Sequence, residues 1–182
     1  MTQIFGNERP VEIDIGCGKG KFLLARAEAS PEINFLGIDR VAKWMRIGEK
    51  RSQKRNLENL KFLKTECREF LAGLSPESIS AFHIYFPDPW PKRRHRRRRL
   101  VSADFLGLLH SRLGLGGLIE MATDDADYRG AMKKAVEQTT QLWKTVRESV
   151  NERLAYAMLK TNYELKFEAA GRPLYYLELE RG

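Results

Sequence analysis

Cysteine is scarce in this sequence: Cys17 and Cys67 are the only two among 182 residues. They make neither a metal-ligand spacing nor a redox pair, and both read as small fillers rather than working thiols. Long apolar runs are missing as well. The longest are four or five residues, against about 20 needed to span a bilayer. The opening Met1-Thr2-Gln3-Ile4-Phe5-Gly6 lacks the charged-then-apolar order of a secretory leader, so a cytoplasmic chain is expected. Metal, membrane and disulfide-framework classes are thereby set aside. Hydrophobic residues still make up 42% of the chain and aromatics 10%, enough for one packed core, and residues 1–182 are expected to form one domain.

Acidic residues are outnumbered, 24 to 32, giving a net charge of +8. The excess is local. Lys92-Arg93-Arg94-His95-Arg96-Arg97-Arg98-Arg99 carries seven positive charges, and without it the chain falls from +8 to +1. Such a tract marks a local anion-binding site rather than a generally cationic surface.

Along the chain, strand and helix patterns alternate. Strands are expected at Val11–Ile15, Asn34–Ile38, Leu60–Leu63, Ile79–Phe86 and Gly117–Thr123. Helical spacing falls at Lys21–Ala29, Val41–Arg55, Arg68–Leu71, Ser102–Leu113 and Asp125–Thr139. This βαβ rhythm predicts a mostly parallel sheet with helices on both faces. Near the end, strands at Leu142–Val146 and Leu174–Glu180 flank a helix at Asn162–Ala170. The last strand can return antiparallel at the edge. Lys43, Arg46, Lys50 and Lys54 recur at helical spacing and read first as a solvated helix face.

Asp14-Ile15-Gly16-Cys17-Gly18-Lys19-Gly20 joins the first strand to the first long helix. Its glycines allow a tight turn and let a ligand approach the backbone. The dinucleotide pattern Gly-x-Gly-x-x-Gly fails because Lys21 stands where its last glycine belongs, which disfavours a nicotinamide enzyme. A nucleoside ligand without pyrophosphate asks for acceptors instead. Asp14 precedes the turn, Asp39 ends the second strand and Glu66 follows the third. They are placed to accept from a cationic amino acid moiety, two ribose hydroxyls and an adenine amine, the donors of S-adenosylmethionine.

Phe86-Pro87-Asp88-Pro89-Trp90-Pro91 follows the fourth strand and leads straight into the basic tract. Three prolines in five residues exclude helix, so Asp88 is expected on a stiff extended loop at the carboxyl edge of the sheet. Trp90 can stack on a base or plug the loop against the core. Arg93, Arg94, Arg96, Arg97, Arg98 and Arg99 suit RNA phosphates, whose oxygens a guanidinium meets two at a time.

These residues resemble the bacterial tRNA (guanine-N7-)-methyltransferase family, within the class I methyltransferase fold. The resemblance runs from about residue 10 to the end. Its most specific piece is the proline loop with its basic run, residues 86 to 99. Ala122-Thr123-Asp124 with Tyr128, and Thr161-Asn162-Tyr163-Glu164, also match. The resemblance implies a Rossmann-like α/β sheet of seven strands, the last antiparallel. It implies methyl transfer from S-adenosylmethionine, without a metal, to N7 of a tRNA guanine, guanine 46 of the variable loop. Cofactor contacts are implied at Asp14, Gly16, Gly18, Asp39, Glu66, Cys67 and Asp88, with Asp88 also catalytic. Substrate contacts are implied at Lys92, Asp124, Thr161, Asn162, Tyr163 and Glu164. The family usually has Glu at positions 14 and 39, and Asp or Asn at 66. Many members also carry a segment before the first strand that is nearly absent here. Two alternatives stay open: an amino-group RNA methyltransferase, although its Asp-Pro-Pro-Trp loop has one proline more, and a non-catalytic RNA-binding module. Monomer and homodimer are equally compatible with the sequence.

Overall fold

The computed structural model describes residues 1–153 and 160–182. Its centre is a seven-stranded sheet of β1 (Val11–Ile15), β2 (Asn34–Asp39), β3 (Leu60–Lys64), β4 (Ile79–Tyr85), β5 (Leu113–Thr123), β6 (Trp143–Val150) and β7 (Tyr175–Arg181). The spatial order is β3-β2-β1-β4-β5-β7-β6. The first five strands are mutually parallel, and β7 runs antiparallel to both β5 and β6. The order reverses between β1 and β4, where a doubly wound sheet opens a crevice at its carboxyl edge.

Helices cover both faces. A four-residue helix, α1 (Thr2–Phe5), precedes the sheet. The large apolar cluster joins Ile13, Phe82, Ile84 and Met121 to side chains of α4 (Cys67–Ala72), α5 (Ala103–Arg112) and α6 (Ala126–Glu137). The opposite face packs against α2 (Lys21–Ala29), α3 (Ala42–Lys54) and α7 (Asn162–Ala169), through Phe22, Leu23, Phe62 and Phe167. Helix starts are fixed by side chains: Ser102 accepts from Phe105 N–H, and Asp125 from Tyr128 N–H. Among the described residues no helix is long and apolar enough to cross a membrane.

The expected seven strands and their directions are all present. Three local features differ from the sequence reading. β5 begins at Leu113, not Gly117, because Leu113 pairs with Ile79 before a shift brings Leu118 opposite Ala81. β6 extends to Val150 because β7 supplies partners along that length. The basic tract is not plain loop: Arg93–Arg98 forms a short 3₁₀ helix. Helical signals there are masked by like charges at close spacing, which disfavour a helix in isolation.

Candidate functional site

A cavity of about 300 Å³ opens at the carboxyl ends of β1 and β4, at the small end of the range for small-molecule sites. The glycine turn forms one wall. Gly16 and Gly18 have φ of 81° and 54°, which glycine reaches without a Cβ penalty. No atom lies within 4 Å of where a Cβ on either would sit, so the turn presents bare backbone to open space. β2 braces it, since Gly16 N–H donates to the Ile38 carbonyl at 2.8 Å. Asp14, Thr161, Asn162 and Tyr163 line the same cavity.

Asp14 is 4% exposed, and its carboxylate accepts no hydrogen bond from any described residue. Burial pushes its pKa up to about 7, although His83 and Arg153 pull the other way. A buried acid with no donor, facing a cavity, is an open socket for a cationic donor.

The other two acids lie outside the lining. Asp39 acts from behind, accepting from Gly18 N–H at 3.0 Å and from Val41 N–H at 2.9 Å. It couples the glycine turn to the start of α3. Glu66 caps α4, accepting from Glu69 N–H at 3.0 Å, and the Cys67 thiol lies 3.7 Å from its other oxygen. Burial raises the Cys67 pKa to about 11, so it stays a thiol at neutral pH. Trp44, on α3, lines the cavity between Lys19 and Lys43, whose ammonium groups sit 4.7 and 5.4 Å from its ring.

The proline loop leaves β4 through left-handed backbone at Phe86 (φ 53°) and returns through Trp90 (φ 46°). It is therefore bent at both ends, with Asp88 exposed between the bends. Phe86 N–H is tied to the Ala122 carbonyl at 2.8 Å, and Arg99 Nε donates to the Pro89 carbonyl at 2.8 Å. Trp90 does not plug the loop against the core. It packs edge-on against His95, ring centroids 5.8 Å apart, with the Arg98 guanidinium 4.9 Å from its centre. Lys92, Arg93, Arg94, Arg96, Arg97 and Arg98 are exposed. Arg99, expected on the phosphate surface, points inward instead. Its side chain is 7% exposed, pairs with Asp127, and lies 4.9 Å from the Tyr128 ring centre. It fastens the loop.

On the far side of the cavity, Thr161 and Glu164 form a capping box at the start of α7. Glu164 is fully buried. It accepts from Thr161 N–H at 2.5 Å and from Tyr176 O–H at 3.0 Å, and pairs with Arg153 at 3.4 Å. Glu164 therefore shapes α7, while Asn162 and Tyr163 face the cavity. Tyr163 is 55% exposed and packs with Phe86 and Phe167, at 6.0 and 5.9 Å between ring centroids. Asp124 pairs with Arg172 at 2.6 Å.

One feature escaped the sequence reading: a charged row, buried from Asp14 to Glu178 and exposed at Arg147. Register partners across five strands read Asp14, His83, Glu120, Glu178 and Arg147. His83 lies 2.9 Å from Glu12 and 3.1 Å from Glu120. Arg26 grips both oxygens of Glu12 at 2.8 and 3.0 Å, and Tyr85 O–H donates to Glu120 at 2.5 Å. Burial would strip the His83 proton, but its two carboxylates outweigh burial and raise its pKa to about 9. Tyr85 carries this network into the cavity wall. The available signal was the alternation Val11-Glu12-Ile13-Asp14-Ile15: a strand central to a parallel sheet is normally apolar on both faces. Among the described residues no cluster of His, Cys, Asp or Glu is arranged to hold a metal ion.

Residues 8–177 match a family model described as "Putative methyltransferase". A tRNA (guanine-N(7)-)-methyltransferase of Rubrobacter xylanophilus is 34% identical over 179 residues, 98% of this chain and 80% of the relative. The enzyme of the same description from Bacillus subtilis is 30% identical over 177 residues, 97% and 83% of the two chains. Among solved structures, the 16S rRNA methyltransferase KamB superposes with a TM-score of 0.71 at 19% identity, covering 99% of this chain and 91% of that one. A tRNA (m1A58) methyltransferase from Aquifex aeolicus does so with 0.64 at 14% identity, covering 97% and 64%. At such identities the structures establish the fold, that of class I methyltransferases.

Proposed function

Because this chain belongs to the tRNA (guanine-N(7)-)-methyltransferase family, we propose that it methylates N7 of guanine in tRNA, and that the guanine is position 46 of the variable loop. The observation that carries the site reading is Asp14: a buried carboxylate without a donor, beside bare glycine backbone. The family's methyl donor, S-adenosylmethionine, supplies an electrophilic methyl on a sulfonium and carries an ammonium. The residues fit that group. Asp14 takes the ammonium, Gly16 and Gly18 give room along the turn, and Trp44 walls the cavity. Asp39 sets the turn from behind, and Glu66 stands at the end of β3 where an adenine edge would be read. The cytoplasm, where tRNA and the methyl donor occur together, is the expected compartment.

Guanine N7 holds an in-plane lone pair and no proton, so this chain needs no base to activate it. Its residues must align N7 with the methyl and tolerate positive charge forming on the ring. Asp88 does the second, accepting from N1–H and the 2-amino group, and Asp124 shares that role. Asn162 and Tyr163 border the cavity from α7, with Thr161 and Glu164 holding that helix start. Lys92 and the exposed arginines of the tract hold phosphates. Neither rival raised from the sequence is favoured by an observation in the structure.

Incubation with labelled methyl donor and total tRNA, then digestion to nucleosides, tests this directly. Label is expected in 7-methylguanosine and to vanish from a transcript whose guanine 46 is replaced. Label in 6-methyladenosine would overturn the reading.

The elevated pKa of Asp14 sets a pH dependence. Its folded value, about 7 against 3.8 in the unfolded chain, means that the stability it lends is complete below the unfolded value and lost as pH rises through 7. The ligand's ammonium prefers the carboxylate. S-adenosylhomocysteine, which keeps that ammonium, should therefore bind about tenfold more weakly at pH 6 than at pH 8. Titration calorimetry reads this as affinity and as proton release. In Asp14→Asn the slope should disappear; a flat wild-type profile would remove Asp14 from the ammonium site.

A further inference from the structure

A second concavity is larger than the cofactor cavity. A groove of about 740 Å³ runs along the outer side of α6, from the basic tract and the start of α5 to Lys134 and Gln138. It shares no lining residue with the cavity at the glycine turn. Its charged lining is four cations, Arg96, Arg97, Arg99 and Lys134, against one acid, Asp127. Its floor includes Ala126, Gly130 and Ala131, side chains small enough to let another backbone come close.

Asp127 identifies the chemistry that this groove accepts. Its carboxylate bridges Arg96, at 3.0 Å, and Arg99. Two oxygens shared between two guanidinium groups is the geometry that a phosphate also satisfies. The two arginines differ in freedom. Arg99 is held at Pro89 and over Tyr128, whereas the Arg96 side chain is 48% exposed and accessible to another anion. Lys134 stands seven residues after Asp127, two helical turns or about 10 Å further along the groove.

We propose that this groove is an RNA track, separate from the exposed face of the tract. It receives the ribose–phosphate strand flanking the substrate guanine. One phosphate displaces Asp127 from Arg96, and Lys134 holds another further along α6. The proposal rests on the reading of tRNA as substrate. RNA is favoured over an acidic protein segment because the groove is continuous with the tract, whose exposed cations run on beyond its rim.

The test is tRNA affinity by filter binding from 50 to 200 mM salt, for wild type, Lys134→Glu and Asp127→Asn. Lys134→Glu should weaken binding about tenfold and lower the log–log salt slope by about one. Asp127→Asn removes the competing carboxylate and should tighten binding roughly threefold. S-adenosylhomocysteine affinity at the wild-type value would report an intact fold in each variant. Wild-type affinity and slope in Lys134→Glu would overturn the groove as an RNA track, as would unchanged or weaker binding in well-folded Asp127→Asn. Failure of the unmutated protein to bind or methylate tRNA is a separate result, which overturns the substrate reading and the groove with it. An acidic peptide that binds the groove without competing with tRNA would overturn the choice of occupant.

Discussion

Asp88→Ala is expected to lower kcat by about 10²- to 10³-fold while tRNA affinity stays within about threefold, the pattern for a charge-stabilising group that acts mainly in the transition state. The effect is electrostatic. Methyl transfer to N7 puts a positive charge on a ring that was neutral, and a carboxylate on its opposite edge meets that charge only as it forms. The loop supplies the necessary rigidity: its left-handed turns at Phe86 and Trp90, and its ties to Ala122 and Arg99, fix the backbone around Asp88. Exposure between the bends is what an incoming base requires. Phosphate contacts elsewhere carry the binding energy, so the affinity should survive. Asp88→Asn keeps one acceptor and loses the charge, and should fall between wild type and Ala. Single-turnover methylation at saturating tRNA, beside filter binding, checks the split. Near-normal turnover in Asp88→Ala would take Asp88 out of the mechanism.

His83→Leu should cost about 3 kcal/mol, lowering Tm by roughly 6–12 °C for a chain of this size. The proton affinity of His83 and the cost of breaking a buried ion network agree in magnitude. A fully buried histidine whose pKa rises from 6.5 to about 9 gains about 3 kcal/mol from its protonated form. Removing one partner from a buried ion network typically costs 3–5 kcal/mol, because the remaining charges are left bare. Here Glu12 keeps Arg26 and Glu120 keeps the Tyr85 hydroxyl, both carboxylates nearly inaccessible, so the cost falls at the low end of that range. The sign in pH follows. His83 is raised on folding, so its contribution is whole below the unfolded pKa and is lost as pH climbs through about 9. Wild type should lose stability between pH 6.5 and 9, and His83→Leu should lack that alkaline decline. Thermal denaturation across this range checks both, and an unchanged Tm at pH 7 would show that the network adds no net stability.

What was legible in the sequence was local. The glycine turn, the acids at strand ends and the proline loop each declare themselves within a dozen residues, and the alternating pattern was enough for the sheet and its antiparallel end. What was hidden depended on partners far away in the chain. Arg99 looks like its five arginine neighbours until Pro89, Asp127 and Tyr128 surround it. Glu164 looks like a polar ligand until Thr161 and Tyr176 occupy both of its oxygens. Trp44 carries the size of a core residue, and only the placement of α3 beside the turn makes it a cavity wall. The charged row was the deepest case. Its members are spaced singly through five strands, and only their alignment brings His83 between two glutamates.

That alignment bears on how the chain finds its fold. Adjacent side chains on a strand face opposite ways, so a strand that docks one residue out of step thrusts its ionised group among Ile13, Phe82 and Met121 and leaves its neighbours' charges bare. Each wrong docking is dearer than an ordinary apolar mismatch. The row thus penalises wrong registers among five segments drawn from residues 11 to 181, because the native docking is the one that sets His83 between Glu12 and Glu120.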